Sequence, residues 1–244
     1  MMSKTNSSGS KNGSKHRWGM VIDLDKCVAC QACTIACQSE NNVPIAGLKD
    51  YDDDRAIFFT ELFHDIQGLF PFAEGDLVPR PCLHCENAPC IRVCPVGATF
   101  YNEYGAVVID YTSCIGCRFC TVACPYTARS FNYSEPDFPA PMEQSLNPDL
   151  PIRPKGVAEK CTFCFHRVEK AVAQVEEEGR ELTNAELTLL TACNQTCPAS
   201  ARYFGDLNDP TSTVSHLTRS PRAFHLLEEL GTHPKVTFLR SDKI

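Results

Sequence analysis

The 244-residue sequence has no apolar stretch that approaches the roughly 20 residues needed to cross a bilayer. It also lacks the G-x-G-x-x-G and G-x-x-x-x-G-K patterns of nucleotide sites and the H-E-x-x-H pattern of zinc peptidases. Its seven histidines are scattered, and 30 acidic side chains outnumber 23 basic ones, for a net charge of −7. These features exclude the common catalytic motifs and give no support for nucleic-acid binding.

The first seventeen residues are expected to form a disordered tail. Met1–Lys15 is rich in Ser, Gly, Asn and Lys, a composition that offers too little apolar surface to bury. The segment contains neither an apolar run nor a twin-arginine pair, so we do not expect it to be an export signal.

Cysteine, in contrast, is abundant and regularly spaced. The first and third of four groups read C-x2-C-x2-C-x3-C, the second reads C-x2-C-x4-C-x3-C, and the fourth is C-x2-C, a 28-residue gap and C-x3-C. The groups are Cys27, Cys30, Cys33 and Cys37; Cys82, Cys85, Cys90 and Cys94; Cys114, Cys117, Cys120 and Cys124; and Cys161, Cys164, Cys193 and Cys197.

This spacing is typical of [4Fe–4S] clusters. Two residues between cysteines let successive thiolates converge on one cubane, while the fourth cysteine points to a neighbouring cluster. Cys94, Cys124 and Cys197 are also followed by proline, as in bacterial ferredoxins. Four thiolates per cubane predict four [4Fe–4S] clusters. A chain with four clusters and no catalytic motif is predicted to carry electrons between partners.

Two other uses of cysteine are weighed against this prediction. Disulfide scaffolds are typical of short secreted chains, whereas 244 residues are enough to bury a core. Paired C-x2-C units also form four-cysteine zinc sites. Such sites do not require a third cysteine after two further residues and a fourth after three, and this chain contains that run twice. A zinc module without redox activity stays an alternative; a colourless protein with stoichiometric zinc would indicate it.

An internal repeat predicts the fold class. Residues 21–23 and 108–110 both read Val-Ile-Asp, and each leads into the same cysteine run at an offset of 87 residues. The predicted class is α+β, with two ferredoxin-like units of β-hairpins and short helices around four clusters, and with loop and helical insertions. Gly105 predicts a hairpin that joins the second cysteine group to the third.

The domain boundaries follow from this pairing. Residues 18–210 are expected to form a double ferredoxin-like domain. Its inner unit is expected at about 78–130, and its outer unit combines 18–45 with 157–210. Residues 211–244 are expected to form a helix, from Ser220-Pro221 to Gly231, and a strand at 236–239, which pack on another subunit.

The segments between the cysteine groups predict connectors. Residues 39–76 are expected to form a strand and a loop over a cluster, and the proline-rich segment 134–156 is expected to be extended. The 28-residue gap of the fourth group predicts two helices. Gly179 ends the first, and Thr183 with Glu186 forms a capping box for the second. The apolar face of the first helix consists of Val168, Val172 and Val175.

Several side chains within the cysteine groups are assigned supporting roles. His84 is expected to donate a hydrogen bond rather than to ligate iron. Phe119, Phe163 and Phe165 are expected to keep water away from the clusters. Arg118 is expected to be a solvated charge rather than one that raises a nearby reduction potential.

The sequence closely resembles the four-cluster β subunits of complex iron–sulfur molybdoenzymes, a family that includes polysulfide, dimethyl sulfoxide, tetrathionate and nitrate reductases. The resemblance covers nearly all of residues 18–240. It is carried by the cysteine groups and by CPVGATF at 94–100, KCTFCFHRV at 160–168 and FGDLNDP at 204–210. LLEELGTHPKVTFL at 226–239 is similar to the branch with polysulfide reductase, menaquinone reductase and alternative complex III. Gln38, where the family has proline, and the 28-residue gap depart from the pattern.

The resemblance implies a nested set of ligands and no catalytic residue. Cluster 1 would lie nearest a catalytic subunit and cluster 4 nearest a quinone-binding subunit. The implied ligands are Cys27, Cys30, Cys33 and Cys197 for cluster 1; Cys37, Cys161, Cys164 and Cys193 for cluster 2; Cys82, Cys85, Cys90 and Cys124 for cluster 3; and Cys94, Cys114, Cys117 and Cys120 for cluster 4.

The same resemblance implies the partners and the location. The chain would be the electron-transfer subunit of a respiratory complex, between a molybdopterin-type catalytic subunit and an integral membrane quinone-binding subunit or a multihaem cytochrome. It would lie peripherally on the cytoplasmic membrane, on a side that the sequence leaves open. The alternative is a ferredoxin-like subunit of a soluble formate dehydrogenase or hydrogenase assembly, which the absence of a membrane partner would favour.

Overall fold

The computed structural model describes residues 16–240, so the predicted tail over 1–15 lies outside the described residues. Helices and strands are mixed along the chain, as the predicted α+β class requires. The strands are β1 Trp18–Asp23, β2 Thr60–Gln67, β3 Glu74–Pro81, β4 Thr99–Tyr101, β5 Val107–Ile109, β6 Ser130–Phe131, β7 Ala158–Glu159, β8 Arg202–Asp206, β9 Ala223–Phe224 and β10 Val236–Leu239. The helices are α1 Ala32–Glu40, α2 Leu48–Asp52, α3 Pro89–Arg92, α4 Phe119–Val122, α5 Phe165–Glu177, α6 Asn184–Leu189, α7 Ala192–Gln195 and α8 Thr213–Leu217.

A four-stranded sheet in the order β8-β1-β10-β9 joins the two ends of the described chain. Met20 of β1 lies opposite Phe204 of β8 in an antiparallel pair and opposite Val236 of β10 in a parallel pair. Every residue of β1 and β10 is buried. Strands with neighbours on both sides and covered faces tolerate continuous apolar runs, which explains why neither segment alternates in polarity.

The C-terminal segment is part of this protein's own core. Because β10 is buried between β1 and β9, the prediction that the strand packs on another subunit is wrong. The helix predicted from Ser220 to Gly231 is also wrong. Its place is taken by β9 and by a 3-10 turn at Glu228–Leu230 that ends at Gly231. Phe224 pairs with Phe238 across β9 and β10, and this long-range pairing overrides the local helix signals.

Three two-stranded sheets carry the loops around the cysteines. β4 and β5 form the predicted hairpin, and Gly105 in its turn has φ +70°. The strand predicted within 39–76 is β2, but it pairs with β3 in a hairpin that the sequence did not indicate. β6 pairs with β7, which links the third cysteine group to the fourth.

The helices in the gap of the fourth group form as predicted. The valines at 168, 172 and 175 are buried on one face of α5. Gly179 follows this helix with φ +67°. Thr183 caps α6, accepting a hydrogen bond from the backbone N–H of Glu186 while the Glu186 carboxylate accepts one from the Thr183 N–H. The 134–156 segment contains a 3-10 turn at Met142–Ser145 and is otherwise irregular.

The start of the described range is bound to β8. The Arg17 N–H donates to Asp206 Oδ1 at 2.9 Å, and His16 Nδ1 lies 2.8 Å from Asp206 Oδ2. These two residues were placed in the predicted tail, and the tail boundary at residue 17 is therefore wrong. Within residues 16–240, no helix is both long and apolar enough to cross a membrane.

Candidate iron–sulfur sites

The first C-x2-C segment of each cysteine group shares one backbone feature. The residue before the second cysteine is left-handed at Ala29 (φ 53°), His84 (φ 44°), Gly116 (φ 67°) and Phe163 (φ 58°). Left-handed residues in such turns build the concave arrays of backbone N–H groups that hold anions, including iron–sulfur clusters. Only Gly116 offered a sequence signal, because a Cβ there would lie 2.3 Å from the Gly156 carbonyl oxygen.

A short helix carries the third cysteine of every group. Cys33 lies in α1, Cys90 in α3, Cys120 in α4 and Cys193 in α7. The fourth cysteine of each group follows four residues later. Only α1 contains both cysteines; in the other three groups the fourth cysteine lies two residues beyond the end of the helix.

Site 1 is a cavity at one end of the central sheet. Its lining includes Cys27, Cys30 and Cys33 of the first group and Cys197 of the fourth. The cavity and its opening contain about 440 Å³ of space free of protein atoms, part of which is bulk solvent. The Ala201 N–H donates to the Cys197 sulfur at 3.3 Å. Other lining residues include Leu62, Pro79 and Arg202.

Site 4 is a second cavity, formed by the second and third groups. Cys94, Cys114, Cys117 and Cys120 all line it, and the cavity and its opening contain about 340 Å³ of such space. Arg118 also lines the cavity but is exposed, and its Nη1 donates to the Tyr133 hydroxyl at 3.4 Å. The expectation that Arg118 is a solvated charge agrees with this exposure.

Site 2 contains Cys37, Cys161, Cys164 and Cys193, all of them buried. Asn41 Nδ2 donates to the Cys37 sulfur at 3.5 Å and to the Cys164 sulfur at 4.0 Å, so the first and fourth groups meet here. Burial raises the pKa of Cys37 well above its ordinary value, and the charges of the other three thiols raise it further. Four thiolates can form here only if a positively charged group compensates them.

Site 3 contains Cys82, Cys85, Cys90 and Cys124, of which only Cys124 is not fully buried. Burial raises the pKa of Cys85 to about 12, and the charges of Cys82, Cys90 and Cys124 contribute to the shift. Burial and Cys82 also raise the pKa of Cys124. Cys90, the third cysteine of the second group, thus lies near Cys124, the fourth cysteine of the third group. Cys94, the fourth cysteine of its own group, lines site 4 instead.

The sixteen thiols fit groups of several iron atoms. All sixteen are free. Cys27, Cys30, Cys33 and Cys197 line one cavity, and Cys94, Cys114, Cys117 and Cys120 line another. No group of three or more His, Cys, Asp or Glu side chains among residues 16–240 is close enough to hold one metal ion. When bound, a cubane with four thiolate ligands would supply one-electron transfer at each site. The protein holds the thiols, excludes water and donates hydrogen bonds to sulfur.

Burial differs between the ends and the middle of this series. All the cysteines of site 2 and three of site 3 are buried, whereas Cys30 of site 1 and Cys117 of site 4 are exposed. The thiol of Cys33 in site 1 interacts with that of Cys193 in site 2, and the thiol of Cys161 in site 2 interacts with that of Cys82 in site 3. These interactions place site 1 beside site 2 and site 2 beside site 3. Arg129 interacts with thiols of sites 3 and 4, which places these two sites next to each other. Solvent reaches both ends of the series, at Cys30 and at Cys117.

The aromatic residues of the loops behave in two ways. His84 is fully buried, and its Nε2–H donates to the Cys161 carbonyl oxygen at 3.1 Å, as predicted. The rings of His84 and Phe163 stack at 3.8 Å. Phe163 and Phe165 are buried, as their predicted role in excluding water requires. Phe119 is 60% exposed, which does not agree with that role.

Sequence reasoning missed the buried cations at these sites. They include Arg129, Lys160 and Arg202. Arg129 Nη2 donates to the Cys90 sulfur at 3.2 Å, and Arg202 lines site 1. A basic residue next to a cysteine group is more often exposed than buried, so the sequence carried no signal for their placement.

Comparison with known proteins agrees with this geometry. Two models of the 4Fe-4S dicluster domain match residues 73–138 and 113–201. The chain is 45% identical over 229 residues to the iron–sulfur cluster-binding subunit of menaquinone reductase from Nitratidesulfovibrio vulgaris, covering 92% of this chain and 89% of the relative. It is 40% identical to a selenate reductase subunit of Mesobacillus selenatarsenatis, over 91% of this chain and 72% of the relative.

A third relative comes from a polysulfide reductase. This protein of Wolinella succinogenes is 32% identical, and the match covers 90% of the present sequence and 92% of the relative. Matches of this identity and extent, together with the dicluster domains, identify the family. The protein belongs to the ferredoxin-like, [4Fe–4S] β subunits of complex iron–sulfur molybdoenzymes, the electron-transfer subunits of reductase complexes.

Proposed function

We propose that this chain conducts electrons through four [4Fe–4S] clusters, held at sites 1 to 4 by the nested cysteine sets. The observation that carries the proposal is the burial pattern: the two middle sites are enclosed, and the two end sites reach the surface. A conductor needs access for a donor at one end and for an acceptor at the other. Buried intermediate sites keep electrons from solvent oxidants along the way.

The two ferredoxin-like units support the nested arrangement. The inner unit, which contains the β4–β5 hairpin, supplies all the thiols of sites 3 and 4. The outer unit supplies those of sites 1 and 2, from the loops that follow β1 and from the region between β7 and β8. Because the third and fourth cysteines of each group are four residues apart and serve two sites, the short segment between them limits the separation of neighbouring sites.

The relatives and the exposed ends support a proposal for the partners. The named relatives are subunits of menaquinone, selenate and polysulfide reductases. We propose that site 1 faces a molybdopterin-type catalytic subunit and that site 4 faces a quinone-binding subunit in the cytoplasmic membrane. The chain itself then needs no substrate site, and its task is to bind both partners and to hold the clusters in line.

The four sites form an electron-transfer chain, which we call the wire, and a variant in its middle tests this function. Cys124→Ser removes a thiol from site 3 in the purified complex. We expect quinone-coupled turnover to be lost, while the activity of the catalytic subunit with an artificial dye is largely retained, because the dye bypasses the wire. Thr121→Ala, on α4, is the control and should keep both activities.

Two results would contradict the proposal. Equal loss of both activities in a fully assembled Cys124→Ser complex would mean that the chain does more than conduct. Purification with a formate dehydrogenase or hydrogenase and no membrane subunit would favour a soluble assembly instead.

A further inference from the structure

Four cations are buried in the described core without an ion pair: Lys160, Arg129, Arg202 and Lys235 are 1%, 6%, 3% and 2% exposed. Lys235 interacts with a thiol of one site only, Cys85 of site 3, and is attracted to the Glu86 carboxylate. Among residues 16–240, no ion pair includes any of them; Glu159, beside Lys160 in sequence, pairs with Arg153 at 2.5 Å. Burying an unpaired charge is costly. A negative group must therefore lie beside each cation in the working protein.

Arg202 lies between sites 1 and 2. It occupies β8 opposite Ile22 of β1, and its side chain lines the site 1 cavity. Nε and Nη1 have no hydrogen-bond partner, and Nη2 lies 3.4 Å from the Met20 sulfur. Burial lowers its pKa, but the charges of Cys193, Cys33 and other thiols outweigh burial and raise it overall. Cys193 belongs to site 2 and Cys33 to site 1.

Lys160 lies between sites 2 and 3. Its Nζ donates to the Cys161 carbonyl oxygen at 2.8 Å and also to that of Val107. Burial and the charge of Arg129 lower the pKa of Lys160 overall, although the charges of Cys82, Cys161 and Cys90 act in the opposite direction. Cys161 belongs to site 2, and the other two cysteines belong to site 3.

Arg129 lies between sites 3 and 4. Its Nη2 is 3.2 Å from the sulfur of Cys90, which belongs to site 3, and its Nη1 is 3.3 Å from Thr99 Oγ1. Nε has no hydrogen-bond partner. Burial lowers the pKa of Arg129, but Cys90, Cys120 and Cys82 raise it overall. Cys120 belongs to site 4, so this guanidinium interacts with thiols of both sites.

Other cations near the sites differ in two respects. Arg80 interacts with thiols of site 3 only and pairs with Glu61 at 2.9 Å. Arg167 interacts with thiols of site 2 only and pairs with Glu40. Lys160, Arg129 and Arg202 are distinguished because each is unpaired and each lies between two consecutive sites. We call these three residues the junction cations.

We propose that the junction cations set the reduction potentials of the wire, each one stabilising the reduced state of the two clusters that it separates. Arg202 acts on clusters 1 and 2, Lys160 on clusters 2 and 3, and Arg129 on clusters 3 and 4. The inference rests on the proposed function, because it requires a cluster at each site. The spacing of the cysteine ligands does not by itself indicate a role for these three side chains.

The physical basis is charge repulsion along the wire. An added electron makes each site more negative, and electrons on neighbouring sites repel each other. A fixed cation between two sites offsets both effects. At an effective dielectric constant of about 20, a unit charge about 10 Å away changes an equilibrium by about tenfold or more. Each junction cation therefore favours reduction on both of its sides.

Arg129→Gln in the purified complex tests the inference. Glutamine removes the charge but keeps a polar side chain next to Thr99. We expect the reduction potentials of clusters 3 and 4 to fall by about 59 mV each. For a one-electron couple, this shift lowers the ratio of reduced to oxidised cluster about tenfold at the potential where the wild-type cluster is half reduced. Clusters 1 and 2 should titrate as in the wild type. The readout is a redox titration followed by electron paramagnetic resonance.

Two variants serve as matched controls. Arg129→Lys keeps the charge at the same position and should restore the wild-type potentials of clusters 3 and 4. Arg180→Gln removes an exposed arginine that pairs with Glu178 and Glu186, away from the four sites, and should leave all four potentials unchanged, because water screens that charge. The same shift in either control would overturn the inference.

Iron analysis separates this inference from the proposed function. Unshifted potentials in an Arg129→Gln complex with the wild-type iron content overturn the role of the junction cations and leave the wire intact. A wild-type complex with fewer than four clusters overturns the proposed function itself. If Arg129→Gln loses iron, Arg202→Gln decides: clusters 1 and 2 must shift together, and a shift of one cluster alone overturns the inference.

Discussion

Phe238 of β10 lies opposite Phe224 of β9, with ring centroids 5.9 Å apart. Phe238 is also in register with Ile22 of β1 in the parallel pair. The last strand is therefore packed between a neighbour 14 residues away and a strand from the other end of the chain. Folding of the N-terminal region depends on residues near position 238.

We expect Phe238→Ala to destabilise the protein by about 3–5 kcal/mol, because it leaves a cavity in the central sheet. The measurement is the temperature at which the visible cluster absorbance is lost, at one heating rate. Phe70→Ala, at a position 94% exposed on the β2–β3 hairpin, is the control and should change stability by less than about 0.5 kcal/mol. A similar loss of stability in both variants would contradict the sheet order.

Four complete sets of thiols predict a full cofactor load. The anaerobically purified complex should contain about sixteen iron atoms for each copy of this chain, at four per cubane, in addition to iron bound by its partners. Iron analysis and electron paramagnetic resonance measure the load. A reproducible value near twelve, with the signal of an oxidised [3Fe–4S] centre, would show that one site is incomplete.

Cys197→Ser tests the nesting at site 1. Cys197 lines the same cavity as Cys27, Cys30 and Cys33, so the variant should shift or remove the signal of cluster 1 and spare that of cluster 2. Cys193→Ser is the matched control, since it alters the cysteine four residues earlier in the same group. It should perturb cluster 2 and spare cluster 1. The opposite pattern would favour ligands taken from each group separately.

The Asp206 carboxylate predicts a dependence on acid pH at the start of the described chain. Burial raises its pKa, but hydrogen bonds from His16 and from the N–H groups of Arg17 and Asn208 lower it overall. A carboxyl with a lowered pKa contributes stability above its unfolded value of 3.8, and this stability is lost as the pH falls through the folded pKa.

Asp206→Asn should therefore speed hydrogen exchange at residues 16–20 at pH 6, and the difference from wild type should disappear toward pH 3. Short-pulse exchange read by mass spectrometry measures this. Asp149→Asn, far from this segment, should have no effect there. A difference that persists unchanged at pH 3 would mean that the carboxylate charge is not what holds the segment.

Local sequence signals predicted the parts of the fold that depend on neighbours in sequence. The spacing of Val168, Val172 and Val175 predicted α5, and Thr183 with Glu186 predicted the start of α6. Gly105 predicted the β4–β5 hairpin. In each case the residues that form the element also carry its signal, within one or two turns of the chain.

Features that depend on distant partners could not be predicted. β9 is two residues long and exists because β10 lies beside it. The left-handed residues Ala29, His84 and Phe163 resemble ordinary loop positions, because the loop geometry and not the side chain requires that backbone. The buried positions of the junction cations depend on thiols from two cysteine groups at once.

The sheet order has a consequence for biosynthesis. Met20 and Val236, which pair in the sheet, are 216 positions apart. At about 5–20 residues per second, β1 leaves the ribosome roughly 10 to 40 seconds before the strand that must lie beside it. The thiols of sites 3 and 4 all lie between residues 82 and 124, so they can come together while the nascent chain is still growing. β1 is therefore synthesised first but can pair with β10 only after nearly the whole chain has been made.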